Sequence, residues 1–209
     1  MPKSSEKQVR ARRDEIVDAC AGLYETMSFR DITLKEIGQR TSFTRTSIYN
    51  YFESREEIFL ALAQREYDAW AADLDALAAG GLPAGEDGFA GALARTLERR
   101  TRMLKLMAMN LYDMEDNARM ENLVAFKKAY HAAILALTRC LRVFYPAMTQ
   151  EEADRFLYLF LPFVFGLYPY TSATDKQREA MRLAQVEYPR FTVYQLARSI
   201  IERLLPAAL

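Results

Sequence analysis

Apolar residues recur along this chain at intervals of three and four rather than two, and that period predicts helices throughout. Over residues 7–28, Ile16, Cys20, Leu23, Tyr24 and Met27 fall on one face of an otherwise polar helix. Leu34, Ile37 and Gly38 mark the inner side of a short helix, and Ile48 and Phe52, four apart, mark another. Ile58, Leu62, Tyr67, Trp70, Leu74 and Leu77 run through a long helix over 55–79, which ends at the break Gly80-Gly81-Leu82-Pro83-Ala84-Gly85. Beyond it the pattern predicts helices near 87–100, 101–113, 119–145, 149–170 and 190–205. Pro146 stops one, Thr149-Gln150-Glu151-Glu152 caps the next, and Pro189 suits the start of the last. No alternating stretch predicts a strand, and no repeat or low-complexity tract intervenes. The expected fold is all-α: an N-terminal three-helix domain over 1–54, then a larger helical domain over 55–209 whose first helix, 55–79, links the two.

The segment Thr33–Glu57 carries the most specific chemistry. Thr33-Leu34-Lys35-Glu36 is a capping box, and Gly38 implies close approach of a second helix despite costing about 1 kcal/mol of helix propensity. Thr41-Ser42-Phe43 form a turn, with Phe43 expected to plug the small core, and Thr44 is a good N-cap. With Ile48 and Phe52 inward, the residues Arg45, Thr46, Ser47, Tyr49, Asn50 and Tyr51 face outward or flank that stripe. This is the layout of a helix-turn-helix, whose second helix enters the DNA major groove. Arg and Asn can read guanine and adenine edges in bidentate fashion, and hydroxyls and helix N-terminal amides can hold phosphates. Thr33, Lys35 and Thr44 join the candidate DNA contacts. So does Arg55, placed where a cation can hold the backbone, in a second capping box Ser54-Arg55-Glu56-Glu57. Taken alone, such caps and polar faces also suit an ordinary solvated helix.

These residues resemble the TetR family of bacterial transcriptional regulators. The match lies in Ile37-Gly38 before the turn, Thr44-Arg45-Thr46-Ser47-Ile48-Tyr49-Asn50-Tyr51-Phe52 in the second helix, and Ser54-Arg55-Glu56 after it. It covers residues 9–62, with the rest similar only in size and helical character. Ser42 stands where the family's turn usually carries Gly, so Ser42 must tolerate an unusual dihedral or the turn must differ. Arg55 replaces the family's usual Lys and keeps the charge. The resemblance implies a small-molecule site among the helices after the DNA reader.

Composition narrows the picture. The chain has 209 residues, 51% of them hydrophobic, so it can bury a sizeable core. Net charge is zero, so no global basic field announces nucleic acid; the charge is local. Lys3, Lys7, Arg10, Arg12 and Arg13 crowd the N-terminus against Glu6, and two readings stay open: a solubilising tail, or a helix start that touches phosphates. Cys20 and Cys140 fit buried, reduced thiols. The N-terminus lacks the apolar core of a signal peptide, and the apolar run Phe156–Tyr170, with Pro162 inside, falls short of the ~20 residues a membrane span needs. A cytoplasmic protein without membrane contact is expected. The single histidine, His131, is too isolated for a metal site, and no nucleophile–base spacing or phosphate-cradling glycine loop suggests catalysis. No cofactor, metal or catalytic residue is expected.

Residues 103–170 are rich in Met and aromatic side chains, which suits a core or an adaptable apolar pocket. The candidate lining is Met103, Met107, Tyr112, Phe126, Tyr130 and Phe163, with Asn110 and His131 as polar handles. The last two long helices carry ample apolar surface. Phe156, Leu159 and Phe160 on one, with Tyr194, Ala197, Ile201 and Leu204 on the other, are candidates for a two-fold interface. The expectation is a homodimeric repressor that binds a near-palindromic operator in double-stranded DNA and is released by a small, mostly apolar effector. Two rivals are a ligand-independent DNA-binding dimer of the same fold and a helical carrier or enzyme for apolar molecules.

Overall fold

The computed structural model describes residues 6–81, 88–109, 111–187 and 189–206. Among them are eleven α-helices and no strand. The chain forms two compact units. Of the described residues, one unit takes 6–67 and 111–130, and the other takes 68–109 and 131–206. The split differs from the 54/55 boundary expected from sequence: helices α4 (Arg55–Ala79) and α8 (Met120–Phe144) each contribute to both units.

The first unit contains α1 (Glu6–Thr26), α2 (Leu34–Gly38), α3 (Arg45–Ile48), the first half of α4, α7 (Leu111–Asp116) and the start of α8. The predicted face of α1 is buried at Ile16, Cys20, Leu23 and Tyr24. Ile37, Ile48, Phe52 and Phe59, all fully buried, belong to the same unit's core. Tyr24 packs edge-on to Phe59 at 5.2 Å, and Phe29 does the same at 4.7 Å. Further along, Tyr67 meets Phe126 at 5.8 Å and Tyr130 at 5.4 Å. Burial, with Tyr130 beside it, pushes the Tyr67 hydroxyl well above its ordinary range.

The second unit is built from the rest of α4 and α8 with α5 (Gly88–Glu98), α6 (Thr101–Met107), α9 (Gln150–Thr171), α10 (Asp175–Leu183) and α11 (Val193–Leu204). Trp70 is fully buried and donates through Nε1 to Thr96 Oγ1 at 3.0 Å, while that hydroxyl donates to the Leu93 carbonyl at 2.7 Å. Arg100 closes the corner between α4 and α6, reaching Asp73 at 2.6 Å and the Ala69 carbonyl at 2.7 Å. Cys140 is buried, and its thiol donates to the Leu74 carbonyl at 3.1 Å. Burial first, then nearby Asp75, push that thiol up to about 11.

Four features depart from the sequence reading. The helix expected over 101–113 is two, α6 and α7, and the second runs on to Asp116. Helix α10 has no buried residue, so apolar period could not reveal it; its mark is the capping box Thr174–Gln177. Gln185 follows in a left-handed conformation at φ 56°, as helix ends often require. Helix α11 starts from a Thr192 cap with Gln195, downstream of Pro189.

The fourth departure is the expected two-fold interface. Phe156, Phe160, Ala197 and Ile201 are buried within the chain itself, where α11 packs on α5 and α9. Tyr194 and Leu204 are half-buried, with Arg95 lying 5.3 Å over the Tyr194 ring. Apolar period marks a face as buried but not by whom it is covered. Of the expected set, Leu159 alone is broadly exposed, at 52%, beside Tyr158 at 81% and Tyr170 at 80% on α9.

Replacing Thr96 by Val should leave the Trp70 N–H buried without an acceptor and destabilise the second unit by about 1–3 kcal/mol. Urea unfolding followed by the fluorescence of Trp70, the sole tryptophan, measures this; an unchanged midpoint would remove the hydrogen bond from the account.

Candidate nucleic-acid interface

The motif is built from its caps outward. Thr33 accepts from the Lys35 amide at 3.2 Å, and Glu36 accepts from the Thr33 amide at 3.2 Å, so the predicted box forms and α2 starts where the sequence placed it. The turn is held by polar ties. Thr41 Oγ1 lies within hydrogen-bond distance of the Gly38 and Phe43 carbonyls, at 3.1 and 3.2 Å, and the Ser42 amide donates to Glu15 of α1 at 2.6 Å. Gln185 is the sole non-glycine at positive φ among the described residues, so Ser42 adopts no left-handed dihedral. Phe43 is half-buried, not a core plug, and stands 6.3 Å from the Tyr51 ring.

Helix α3 is shorter than expected. It spans four residues, capped by the Thr44 side chain on the Ser47 amide, and continues as turns through Tyr51. The Tyr51 and Phe52 amides both bond the Ile48 carbonyl, at 2.8 and 3.0 Å. Ile48 and Phe52 are fully buried, as their spacing predicted. Thr46, Tyr49 and Asn50 are exposed, Tyr49 at 46%, and none of their side chains is tied to another described residue. Thr33, Lys35 and Thr44 are exposed as well; Ser47 and Tyr51 are half-buried. Of Arg45, Asn110 and Tyr112, the Asn110 position and the side chains of Arg45 and Tyr112 lie outside the described residues.

Arg55 is largely committed to its own chain. Its guanidinium reaches Glu56 at 2.8 Å and the Phe29 and Ile32 carbonyls at 3.2 Å each, and it stacks 4.2 Å over the Phe29 ring. It ties the α1–α2 link to the start of α4. The basic N-terminal stretch is helical from residue 6, with Lys7, Arg10 and Arg12 exposed on α1. Arg12 lies 5.7 Å over Phe43. Arg13 is used internally, donating to the Tyr51 carbonyl at 2.7 Å and lying 4.2 Å over Phe52.

The centre of the unit's polar network is Glu57, which sequence reading placed only in a capping box. The Ser54 hydroxyl does accept from the Glu57 amide at 3.1 Å, but the Glu57 carboxylate bonds the Glu53 amide at 2.9 Å. It is 1% exposed and takes three further hydrogen bonds from Arg119: the amide at 2.9 Å, Nε at 2.8 Å and Nη2 at 2.9 Å. Burial pushes the carboxyl up, but the Arg119 side chain, the Arg119 amide and the Glu53 amide outweigh it and bring it down to about 2. No local pattern marks a partner 62 positions away.

The expected ligand residues divide between the units. Met103 and Met107 are buried on α6, and Phe163 is half-buried on α9, against which α6 packs. Phe126 and Tyr130 belong to the first unit, against Tyr67. His131 is exposed. Two hollows lie elsewhere: one of about 650 Å³ along Asp14, Glu15, Asp18 and Arg40, and one of about 180 Å³ at Tyr170, Arg178 and Phe191. Among the described residues no group of His, Cys, Asp or Glu could hold a metal, and no single helix is long and apolar enough to cross a membrane.

Two family models meet end to end on this chain. "Bacterial regulatory proteins, tetR family" matches residues 16–62, and "Tetracyclin repressor-like, C-terminal domain" matches residues 64–206. The chain belongs to the TetR family. Among curated relatives, the HTH-type transcriptional repressor Rv1474c of Mycobacterium tuberculosis is 29% identical over 72 residues, 34% of this chain and 38% of that protein. The uncharacterised HTH-type regulator YfiR of Bacillus subtilis is 29% identical over 74 residues, 35% of this chain and 36% of that one. The chain thus spans little more than a third of either relative. Among solved structures, a TetR-family regulator from Mesorhizobium loti aligns with TM-score 0.58 and 12% identity over 94% of this chain and 96% of its own. Thermus thermophilus FadR, a TetR-family repressor in complex with lauroyl-CoA, aligns with TM-score 0.51 and 17% identity over 87% and 97%. These two likenesses are of fold. As a TetR-family member the chain carries, over residues 16–62, the N-terminal domain of these bacterial regulatory proteins.

Because the Glu57 carboxyl sits below its ordinary 4.5, the stability it contributes is present above about pH 4.5 and is lost as the pH falls toward 2. A Glu57→Gln chain has nothing to titrate there. Acid unfolding followed by circular dichroism should show a shallower loss across that window than in the parent; parallel curves would refute the assignment.

Proposed function

We propose that this protein is a homodimeric repressor that reads a near-palindromic operator and leaves it when a small, mostly apolar effector binds. The observation that carries the DNA reading is the polar set Thr46, Tyr49 and Asn50, exposed on a short element whose other face, Ile48 and Phe52, is buried. Arg45 stands in the same helix, and the basic turns of α1 add exposed cations within the same unit. Two such readers about 34–36 Å apart fit successive major grooves. For the dimer, the support is the apolar strip Tyr158, Leu159 and Tyr170 on α9, and the occupant is a second copy of the chain. For the effector, the support is the Met-rich contact of α6 with α9, together with lauroyl-CoA held by a repressor of this fold. Release then follows from reciprocal coupling: an effector that weakens DNA binding is itself held less tightly by the DNA-bound form.

The burial of Met103 and Met107 favours a second reading, in which the C-terminal half only dimerises and DNA binding answers to no ligand.

Selection from random duplex DNA at fixed, near-physiological salt should enrich a near-palindrome, and Arg45→Ala should lose or relax it, by about 1–3 kcal/mol at the affected base pair. No enrichment by the parent protein would remove the DNA reading. Light scattering at micromolar concentration should give a dimer, and Tyr158→Glu with Leu159→Glu should give a monomer; a dimeric double variant would move the interface elsewhere. Titrating lauroyl-CoA as a probe against the bound operator tests the effector class. Tight binding with unchanged DNA affinity would remove the coupling.

A further inference from the structure

We infer that the stretch 117–122, far from the motif in sequence, is a working part of the DNA reader, and that Arg119, Asn122 and Arg13 are positioning residues that fix where α3 stands. The inference rests on the DNA-reading function proposed above.

Helix α3 has four residues and is too short to hold its own conformation, since isolated helices below about 12 residues are marginal in water. Its placement is set by what its two ends are fastened to. At the entry end the Ser42 amide is fastened to Glu15. At the exit end, the turns through Tyr51 and Phe52 are bonded back to Ile48, so whatever holds residues 51–53 holds α3.

Four ties reach that exit end, and all of them lead to 117–122. Arg13 donates to the Tyr51 carbonyl at 2.7 Å and, through Nη2, to Asn122 Oδ1 at 3.4 Å. The Glu53 amide is held by Glu57, whose carboxylate is clamped by Arg119. Arg119 Nη1 also reaches Glu53 at 3.5 Å, and the Ser54 hydroxyl donates to the Asn117 carbonyl at 2.8 Å. Two of the fastened atoms, the Tyr51 carbonyl and the Glu53 amide, are backbone, so the ties set the position of the chain itself. The other end of the clamp is equally fixed: the Arg119 amide donates to Glu57, and Arg119 Nη1 reaches Glu121 at 3.3 Å. Asn122 is tied in at both ends of its side chain: Oδ1 accepts from Arg13, and the amide lies close enough to Glu57 to help hold that carboxyl down. Base-edge hydrogen bonds weaken steeply with misalignment, so a small displacement at residues 51–53 removes sequence reading while leaving general attraction to phosphates in place.

The test compares the full-length parent, Arg119→Gln, Arg119→Lys and Asn122→Ala on the selected operator and on random duplex, each across a salt series, with dimer and helix content verified. Arg119→Gln should weaken operator binding roughly tenfold or more, leave random-duplex affinity and the salt slope unchanged, and be partly rescued by Arg119→Lys, since a charged donor bonds the carboxylate more strongly than a neutral one. Operator affinity equal to the parent's would overturn the inference. So would a uniform loss on both DNAs with a slope shallower by about 0.9, because that is the signature of a lost phosphate contact. Should Arg119→Gln not fold, Asn122→Ala decides: it removes the Arg13 acceptor while the Arg119 and Glu53 bonds to Glu57 remain, so folding should survive and operator binding alone should weaken, whereas an unchanged operator affinity would overturn the inference. A parent that enriches no sequence would fell the DNA reading and this inference together, and it shows before any variant is made.

Discussion

Glu57 is a carboxylate withdrawn from water, and that withdrawal costs several kcal/mol unless its oxygens find donors. Both oxygens do, and every donor comes from a place that matters. The Glu53 amide belongs to the exit of the reading motif, and Arg119 belongs to the stretch that opens α8. A buried charge that is fully bonded tolerates little displacement, because each lost bond exposes an ion without compensation. The unit that carries the motif is therefore specified at its least forgiving point by a residue outside the family's N-terminal segment, which ends at residue 62.

Much of this fold was legible because it follows from period. Ile16, Cys20, Leu23 and Tyr24 could face only one way on a helix, and the four-residue spacing of Ile48 and Phe52 is enough to orient the motif. The bounds of α4 matched because a Ser54 cap and a glycine pair bracket it. What escaped has a physical reason in each case. Helix α10 buries nothing, so no apolar period betrays it. Phe156, Phe160, Ala197 and Ile201 read as a sticky face, and they are one, but α5, α9 and α11 satisfy one another within the chain.

Charged residues were read least well, for a common reason. Sequence shows where a cation stands, not what it meets. Arg55 and Arg13 looked available to phosphate, yet Arg55 is engaged by two backbone carbonyls and Arg13 by one, and each lies over an aromatic ring of its own unit. Thr46, Tyr49 and Asn50, unremarkable in composition, are the side chains left open. Some of the unit's cations, Arg13 and Arg55, brace it from within, while Lys7, Arg10 and Arg12 face outward with Thr46, Tyr49 and Asn50.

The buried thiol of Cys140 carries a consequence of a different kind. With its titration pushed up by burial, the thiol holds little of the reactive thiolate at neutral pH, and the packing between α4 and α8 screens it further. A thiol reagent therefore has to wait for the second unit to open before it can label Cys140. The labelling rate becomes a clock for breathing of that unit, readable in a native sample without denaturant.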